Sequence, residues 1–194
     1  MKKVLFTGSG VAIVTPFKDG TVNMPAFGRL IDRQIAGGTD AIIVCGTTGE
    51  AATMTQSERA EVIACCVDRV AGRVPVIAGT GANDTRVACG NALAAERLGA
   101  DGLLIVTPYY NKATQQGLLR HYKAIADSVT TPIILYNVPS RTGVNILPET
   151  YAELARHPNV VGVKEACGDL SQVQKTRNLC PADFAIWSGN DDET

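Results

Sequence analysis

Lys164 is the residue in this sequence best placed to do chemistry. It stands at the C-terminal end of the run Asn159-Val160-Val161-Gly162-Val163-Lys164-Glu165-Ala166, a β-branched stretch bounded by Pro158 and Gly168, which predicts a short buried strand. An ammonium loses hydration on burial, so a lysine there either turns outward to water or sits in a dry site. In a dry site its pKa falls from about 10.4 toward roughly 7–8, and the free amine becomes a nucleophile for carbonyl carbon.

Other strand-like runs end in residues that suit the same kind of site. After Ala41–Cys45 comes Gly46-Thr47-Thr48-Gly49-Glu50, where successive N–H groups can cradle a carboxylate and two hydroxyls can donate or accept. The competing reading is a tight turn that needs its glycines. After Pro75–Ala78 comes Gly79-Thr80-Gly81-Ala82-Asn83, turn and cap chemistry first. After Gly102–Val106 comes Thr107-Pro108-Tyr109-Tyr110-Asn111; its phenols suit packing, a subunit contact or proton relay. After Pro132–Tyr136 comes Asn137-Val138-Pro139-Ser140-Arg141-Thr142-Gly143. There Tyr136 ends a buried run, and Arg141 suits either bidentate capture of a carboxylate or a loop salt bridge. After Phe184–Trp187 comes Ser188-Gly189-Asn190-Asp191-Asp192, whose acids suit a helix N-terminus.

The elements that position these groups follow from the spacing. With Val11–Thr15 as the first, seven apolar runs recur along the chain. They are continuous rather than alternating, as in parallel strands covered on both faces. Helical patterns separate them: Pro25–Gly37, a capping box at Thr55–Glu58, Asn83–Leu98 closed by Gly99, Gly117–Val129, Pro148–Arg156 and Asp169–Leu179. Alternating strands and helices predict an α/β fold with a parallel sheet. A (β/α)8 barrel and an open doubly wound sheet both fit. No GxGxxG or Walker A loop follows any strand, which weakens the open dinucleotide-binding option. Seven strands are one short of a closed barrel, and barrels typically need about 250 residues, so residues 1–194 are expected to form an incomplete domain.

Composition narrows the function classes. The 194 residues are 45% hydrophobic and 19% charged with a net charge of -1, which fits a globular domain and argues against nucleic acid or an anionic membrane as main partner. No apolar run approaches the roughly 18 residues of a membrane span. Met1–Phe6 reads as a tail leading into the first strand rather than as a signal peptide. The six cysteines form no CxxC pair and read as reduced thiols of a cytoplasmic protein rather than a disulfide framework or zinc site. His121 and His157 are isolated in sequence and read as surface residues.

GTTGE, AGTGAN, TPYYN, YNVPSRTG and VGVKEA, in this order between about Gly8 and Asp192, resemble the 4-hydroxy-tetrahydrodipicolinate synthase (dihydrodipicolinate synthase) family of pyruvate-dependent class I aldolases and lyases. The resemblance implies a (β/α)8 barrel that condenses pyruvate with L-aspartate 4-semialdehyde in lysine and diaminopimelate biosynthesis. It implies a cytoplasmic homotetramer, a dimer of dimers, with no cofactor or metal. It assigns Lys164 to the Schiff base, Tyr136 to proton relay, and Thr47 to the link between Tyr136 and Tyr110. Tyr110 would reach a neighbouring subunit's site. Thr48 would hold the pyruvate carboxylate, Arg141 the aldehyde's carboxylate, and the Gly189 carbonyl would face the pyruvate methyl group. The family's eighth strand and C-terminal helical region have no counterpart here, so the activity is expected of a longer parent. At the family's lysine-inhibition site Asn83 and Tyr109 match, whereas Gln56, Arg59 and Val87 depart, so feedback inhibition is not expected. The rival readings are a sialic-acid or keto-deoxy sugar-acid lyase of the same fold, and an inactive fragment.

Overall fold

The computed structural model describes Lys2 and residues 4–192; Met1, Lys3, Glu193 and Thr194, with the sequence readings that fall on them, lie outside the described residues. The chain divides into two compact units, one built from Leu5–Thr80 and Ala94–Leu104, the other from Gly81–Leu93 and the chain from Ile105 onward, joined by the N-terminal Lys2 and Val4.

In the first unit, β1 (Gly10–Ala12), β4 (Ala41–Val44), β5 (Val76–Gly79) and the start of β6 (Gly102–Val106) pair in parallel, in chain order. β4 and β5 are buried along their whole length, which is why their sequences read as unbroken apolar runs. A small hairpin of β2 (Phe17–Lys18) and β3 (Thr21–Val22) intervenes. Its turn is Asp19-Gly20, both with positive φ, a strong hairpin dipeptide that the apolar-run reading passed over. Helix α1 (Met24–Ala36) starts at Asn23, whose side chain accepts from Ala26 N–H. Helix α2 (Gln56–Val70) starts with the expected capping box, both reciprocal Thr55–Glu58 bonds being present. Asp32 of α1 is ion-paired with Arg69 and Arg73 on the α2 side. These are exposed pairs of small energetic weight.

Helix α3 (Thr85–Arg97) and strand β6 each have residues in both units. In the second unit follow α4 (Gln115–Ser128), β7 (Ile133–Asn137), the one-turn α5 (Pro139–Thr142), α6 (Pro148–Leu154), β8 (Val160–Glu165), α7 (Leu170–Leu179) and β9 (Ala185–Ser188). β7 pairs in parallel with β8, and β8 with β9. Seven parallel strands are thus present where seven runs predict them, with ends shifted by at most three residues. Lys2 is anchored: its N–H donates to Asp183 at 2.8 Å, and its Nζ donates to the carbonyls of Ala155, His157 (3.1 Å) and Val160.

His121 corrects the surface reading. It is 5% exposed, because Leu118, His121, Tyr122 and Ile125 recur at i, i+3, i+4 and i+7 on the buried stripe of α4. Its Nδ1 shares a hydrogen bond with Thr85 Oγ1 at 2.9 Å, and its ring meets Tyr122 edge-on. His157 is partly buried as well, with Nε2 against Asp127 at 3.1 Å.

Candidate active site

The end of β8 is built by a register device. Ile133 pairs with Val160, but Ile134 pairs with Gly162, so one extra residue is accommodated on β8. Carried forward without that bulge, the first pairing would set Tyr136 opposite Val163. With it, Tyr136 stands opposite Lys164 and Asn137 opposite Glu165. On the other edge of β8, Gly162 lets β9 lie close: a Cβ there would be 2.5 Å from the Ala185 carbonyl oxygen and 2.7 Å from the Trp187 ring.

Successive residues of a strand face opposite sides. On one side Lys164 Nζ lies 4.8 Å from the Tyr136 ring centroid. The lysine is half-buried and Tyr136 is buried. Burial lowers the Lys164 pKa from its ordinary value, with the Asp191 carboxylate opposing. The ring face also favours the ammonium, yet desolvation dominates, so the neutral nucleophilic amine is more accessible than in an ordinary lysine. Gly189 clears the space beside it: a Cβ there would be 3.0 Å from Lys164 Cε and 2.9 Å from the Ala166 Cβ. Its N–H donates to the Glu165 carbonyl at 2.6 Å, extending the β8–β9 pairing past the strand end.

On the other side sits a buried polar cluster. Asn137 Nδ2 donates to Glu165 Oε1 at 2.8 Å and to Asn145 Oδ1 at 2.7 Å. Asn137 Oδ1 accepts from Ile146 N–H at 3.0 Å. Tyr151 O–H donates to Glu165 Oε2 at 2.7 Å, and Gln172 Nε2 reaches the same oxygen at 3.4 Å. Sequence reasoning missed this cluster. The signal available was an acid and an amide ending two apolar strands, positions where an unpaired polar group is costly.

Arg141 is exposed on α5, a helical turn rather than an open loop, beginning at Pro139 and closed by Gly143 with φ 71°. Tyr110 N–H donates to the Thr142 carbonyl at 3.3 Å, which ties the Tyr109-Tyr110 turn to α5. The Tyr110 backbone is left-handed, φ 73°, and its side chain is 88% exposed. A non-glycine residue held there costs of order 1–3 kcal/mol and is an outlier that points to function.

Thr47 and Thr48 belong to the first unit, in the turn after β4, and both are exposed. The turn is shaped by backbone. Cys45 and Glu50 have positive φ, 54° and 56°, and Glu50 N–H donates to the Thr47 carbonyl at 3.0 Å. Thr15 Oγ1 pins the turn by donating to the Gly49 carbonyl at 2.7 Å. Gly79 of β5 lies so close that a Cβ would be 2.1 Å from the Cys45 carbonyl oxygen. The Cys45 thiol is buried, which pushes its pKa up to about 11 against the pull of Arg59, so it is an inert structural thiol. Of the residues predicted for the site, the second unit thus joins Tyr136, Lys164 and Gly189 directly and links the Tyr110 and Arg141 segments through backbone.

Comparison with known proteins fits this geometry. The profile of the Dihydrodipicolinate synthetase family matches residues 5–194. The 4-hydroxy-tetrahydrodipicolinate synthases of Alkaliphilus oremlandii and Caldicellulosiruptor bescii are 56% and 58% identical over 189 and 190 residues. Each match covers 97% of this chain, which spans 65% and 64% of those relatives' lengths. Among solved structures, the dihydrodipicolinate synthase of Thermotoga maritima superposes with a TM-score of 0.96 at 48% identity, covering 98% of this chain and 66% of that one. That of Aquifex aeolicus superposes with a TM-score of 0.94 at 47% identity, covering 96% of this chain and 64% of that one. The profile match and this level of identity agree, and the chain belongs to the dihydrodipicolinate synthetase family.

Proposed function

We propose that this chain carries the Schiff-base centre of a synthase that condenses pyruvate with L-aspartate 4-semialdehyde to 4-hydroxy-tetrahydrodipicolinate, as part of a (β/α)8 barrel. The observation that carries the reading is Lys164: a half-buried amine against the Tyr136 ring, cleared by Gly189, with its pKa lowered by burial. The neutral amine adds to the pyruvate ketone carbon, and the carbinolamine loses water to give an iminium. That cation draws electrons from C2, so the methyl group gives up a proton and becomes an enamine carbon. The enamine attacks the aldehyde carbon, whose oxygen takes up a proton. The substrate's own amine then displaces Lys164 as the ring closes, returning the lysine free. Each step moves a proton, and the Tyr136 phenol is the group beside Lys164 suited to carry it. The lysine supplies the electron sink, and the proposal invokes no cofactor.

The remaining roles extend this reading. The Thr47 hydroxyl would connect Tyr136 with Tyr110, and Thr48 would hold the pyruvate carboxylate through its N–H and hydroxyl. Arg141 would receive the carboxylate of the aldehyde, and the Gly189 carbonyl would face the pyruvate methyl group. The exposed, left-handed Tyr110 fits a residue that serves a second copy of the chain, which supports a homo-oligomer built on a dimer; a biosynthetic enzyme of this kind would act in the cytoplasm.

Borohydride reduction in the presence of pyruvate tests the proposal. The expected result is a covalent adduct on Lys164 by mass spectrometry and none in Lys164→Arg. Because only the neutral amine adds, the trapping rate should rise with pH and level off below the ordinary lysine value, in the direction that burial dictates. No adduct in a chain that melts cooperatively would defeat the proposal. Turnover of aspartate semialdehyde against sialic and keto-deoxy sugar acids then distinguishes the synthase from a sugar-acid lyase.

A further inference from the structure

We propose that Glu165 is a positioning residue for Lys164: anchored from the reverse face of β8, it holds the lysine against Tyr136 and out of water. The inference rests on the reading of Lys164 as the reacting amine.

The Glu165 carboxyl is 5% exposed and lies among neutral donors. Oε1 accepts from Asn137 Nδ2 at 2.8 Å and from Ala166 N–H at 3.0 Å. Oε2 accepts from Tyr151 O–H at 2.7 Å and from Gln172 Nε2 at 3.4 Å. These donors come from the end of β7, the residue after β8, helix α6 and helix α7. The cluster is closed outward as well, with Asn145 Nδ2 donating to Gln172 Oε1 at 2.8 Å. A carboxylate only accepts, and its two oxygens offer about four lone-pair sites; four donors occupy them here.

Such saturation is what lets the acid be buried, and its place gives it consequence. Asn137 and Glu165 are register partners, and so are Tyr136 and Lys164, one residue earlier on each strand. The Asn137–Glu165 bond therefore clamps the two strand ends beside the Lys164–Tyr136 contact. The Ala166 N–H is shared between Glu165 Oε1 and the Asn137 carbonyl at 2.9 Å, so the same carboxyl fixes the first residue past the strand. Releasing the clamp lets the strand end open and admits water to the Lys164 stem. The titratable groups around this point are Lys164, Tyr136, Asp191, Glu165, Tyr151 and Cys167. Tyr151 is pushed upward by burial and by Glu165. Cys167 is raised to about 11, by burial first.

The test reads the amine itself. Lys164 is titrated by competitive labelling with fluorodinitrobenzene and peptide mass spectrometry, in the unmodified chain and in Glu165→Ala, Glu165→Gln and Tyr151→Phe. Loss of positioning rehydrates the ammonium and raises the midpoint toward the ordinary lysine value. In Glu165→Ala the expected rise is about one pH unit, a tenfold fall in neutral amine below the midpoint. Glu165→Gln keeps the size and the bonds accepted by one oxygen, so its midpoint should rise less than that of Glu165→Ala; Tyr151→Phe removes one bond and should also give a smaller rise. Mere loss of a negative charge would move the midpoint the other way, so a fall in both Glu165 variants overturns the proposal. An unchanged midpoint in Glu165→Ala also overturns it, as does an unchanged Tyr151→Phe midpoint should Glu165→Ala fail to fold. Pyruvate trapping is read separately: a midpoint shift without a pyruvate adduct in the unmodified chain would sustain positioning and defeat the pyruvate reading.

Discussion

The ends of β4 and β8 both present residues of the proposed site, by different means. After β4, backbone presents Thr47 and Thr48: two left-handed residues, a carbonyl pinned by Thr15, and a glycine on β5 that lets the turn lie against the sheet. At β8, side chains on two faces do the work, one face carrying Lys164 and Tyr136 and the other the Glu165 cluster. A threonine offering its N–H and hydroxyl needs a shaped backbone. An amine that must be partly dry needs packed neighbours and a strand end that does not open. The contrast teaches that stability and reactivity should separate when each end is perturbed.

The largest effect on stability is expected at the β4 end. In Gly79→Ala the new methyl would meet the Cys45 carbonyl oxygen and carbon at 2.1 and 2.7 Å, backbone atoms that cannot rotate away. Urea unfolding should show a loss of about 3 kcal/mol, the upper part of the range for overpacking; a loss below the noise of the fit would break the comparison. Gly189→Ala should behave in the opposite way. Its methyl would meet the Ala166 Cβ at 2.9 Å, the Lys164 Cε at 3.0 Å and the Glu165 carbonyl oxygen at 3.2 Å, a milder overlap than at Gly79, so stability should fall by only about 1 kcal/mol. Pyruvate trapping at Lys164 should nevertheless fall about tenfold, as expected when a nucleophile is pushed off line. Equal losses in both assays at both glycines would erase the distinction. The smallest effect sharpens it. Thr55→Ala removes the capping box that follows the β4 turn and should cost about 1 kcal/mol in the melt, with trapping at Lys164 unchanged.

Much of this was legible in the residues. Parallel strands covered by helices leave continuous apolar runs, so all seven could be located, and Gly102–Val106 to the residue. The Thr55–Glu58 box is a local motif whose bonds close within three residues, and it formed where expected. The reading failed where a residue's surroundings come from distant segments. His121 looked isolated because its partner Thr85 is 36 positions away. Glu165 looked like an ordinary polar residue because Asn137, Tyr151 and Gln172 meet it only in the folded chain.

By itself, then, the sequence determined the α/β alternation, the strand on which Lys164 lies, and the family motifs, because strand burial, helix capping and turn chemistry are written in residues close together. Tertiary structure decided that Lys164 faces Tyr136. That pairing depends on one extra residue at the start of the β7–β8 ladder, and a shift of one reverses which face each later side chain takes. It also decided that Lys164 is partly dry and that Glu165 is buried and held. Desolvation is a property of everything packed around a group, and no local spacing records it.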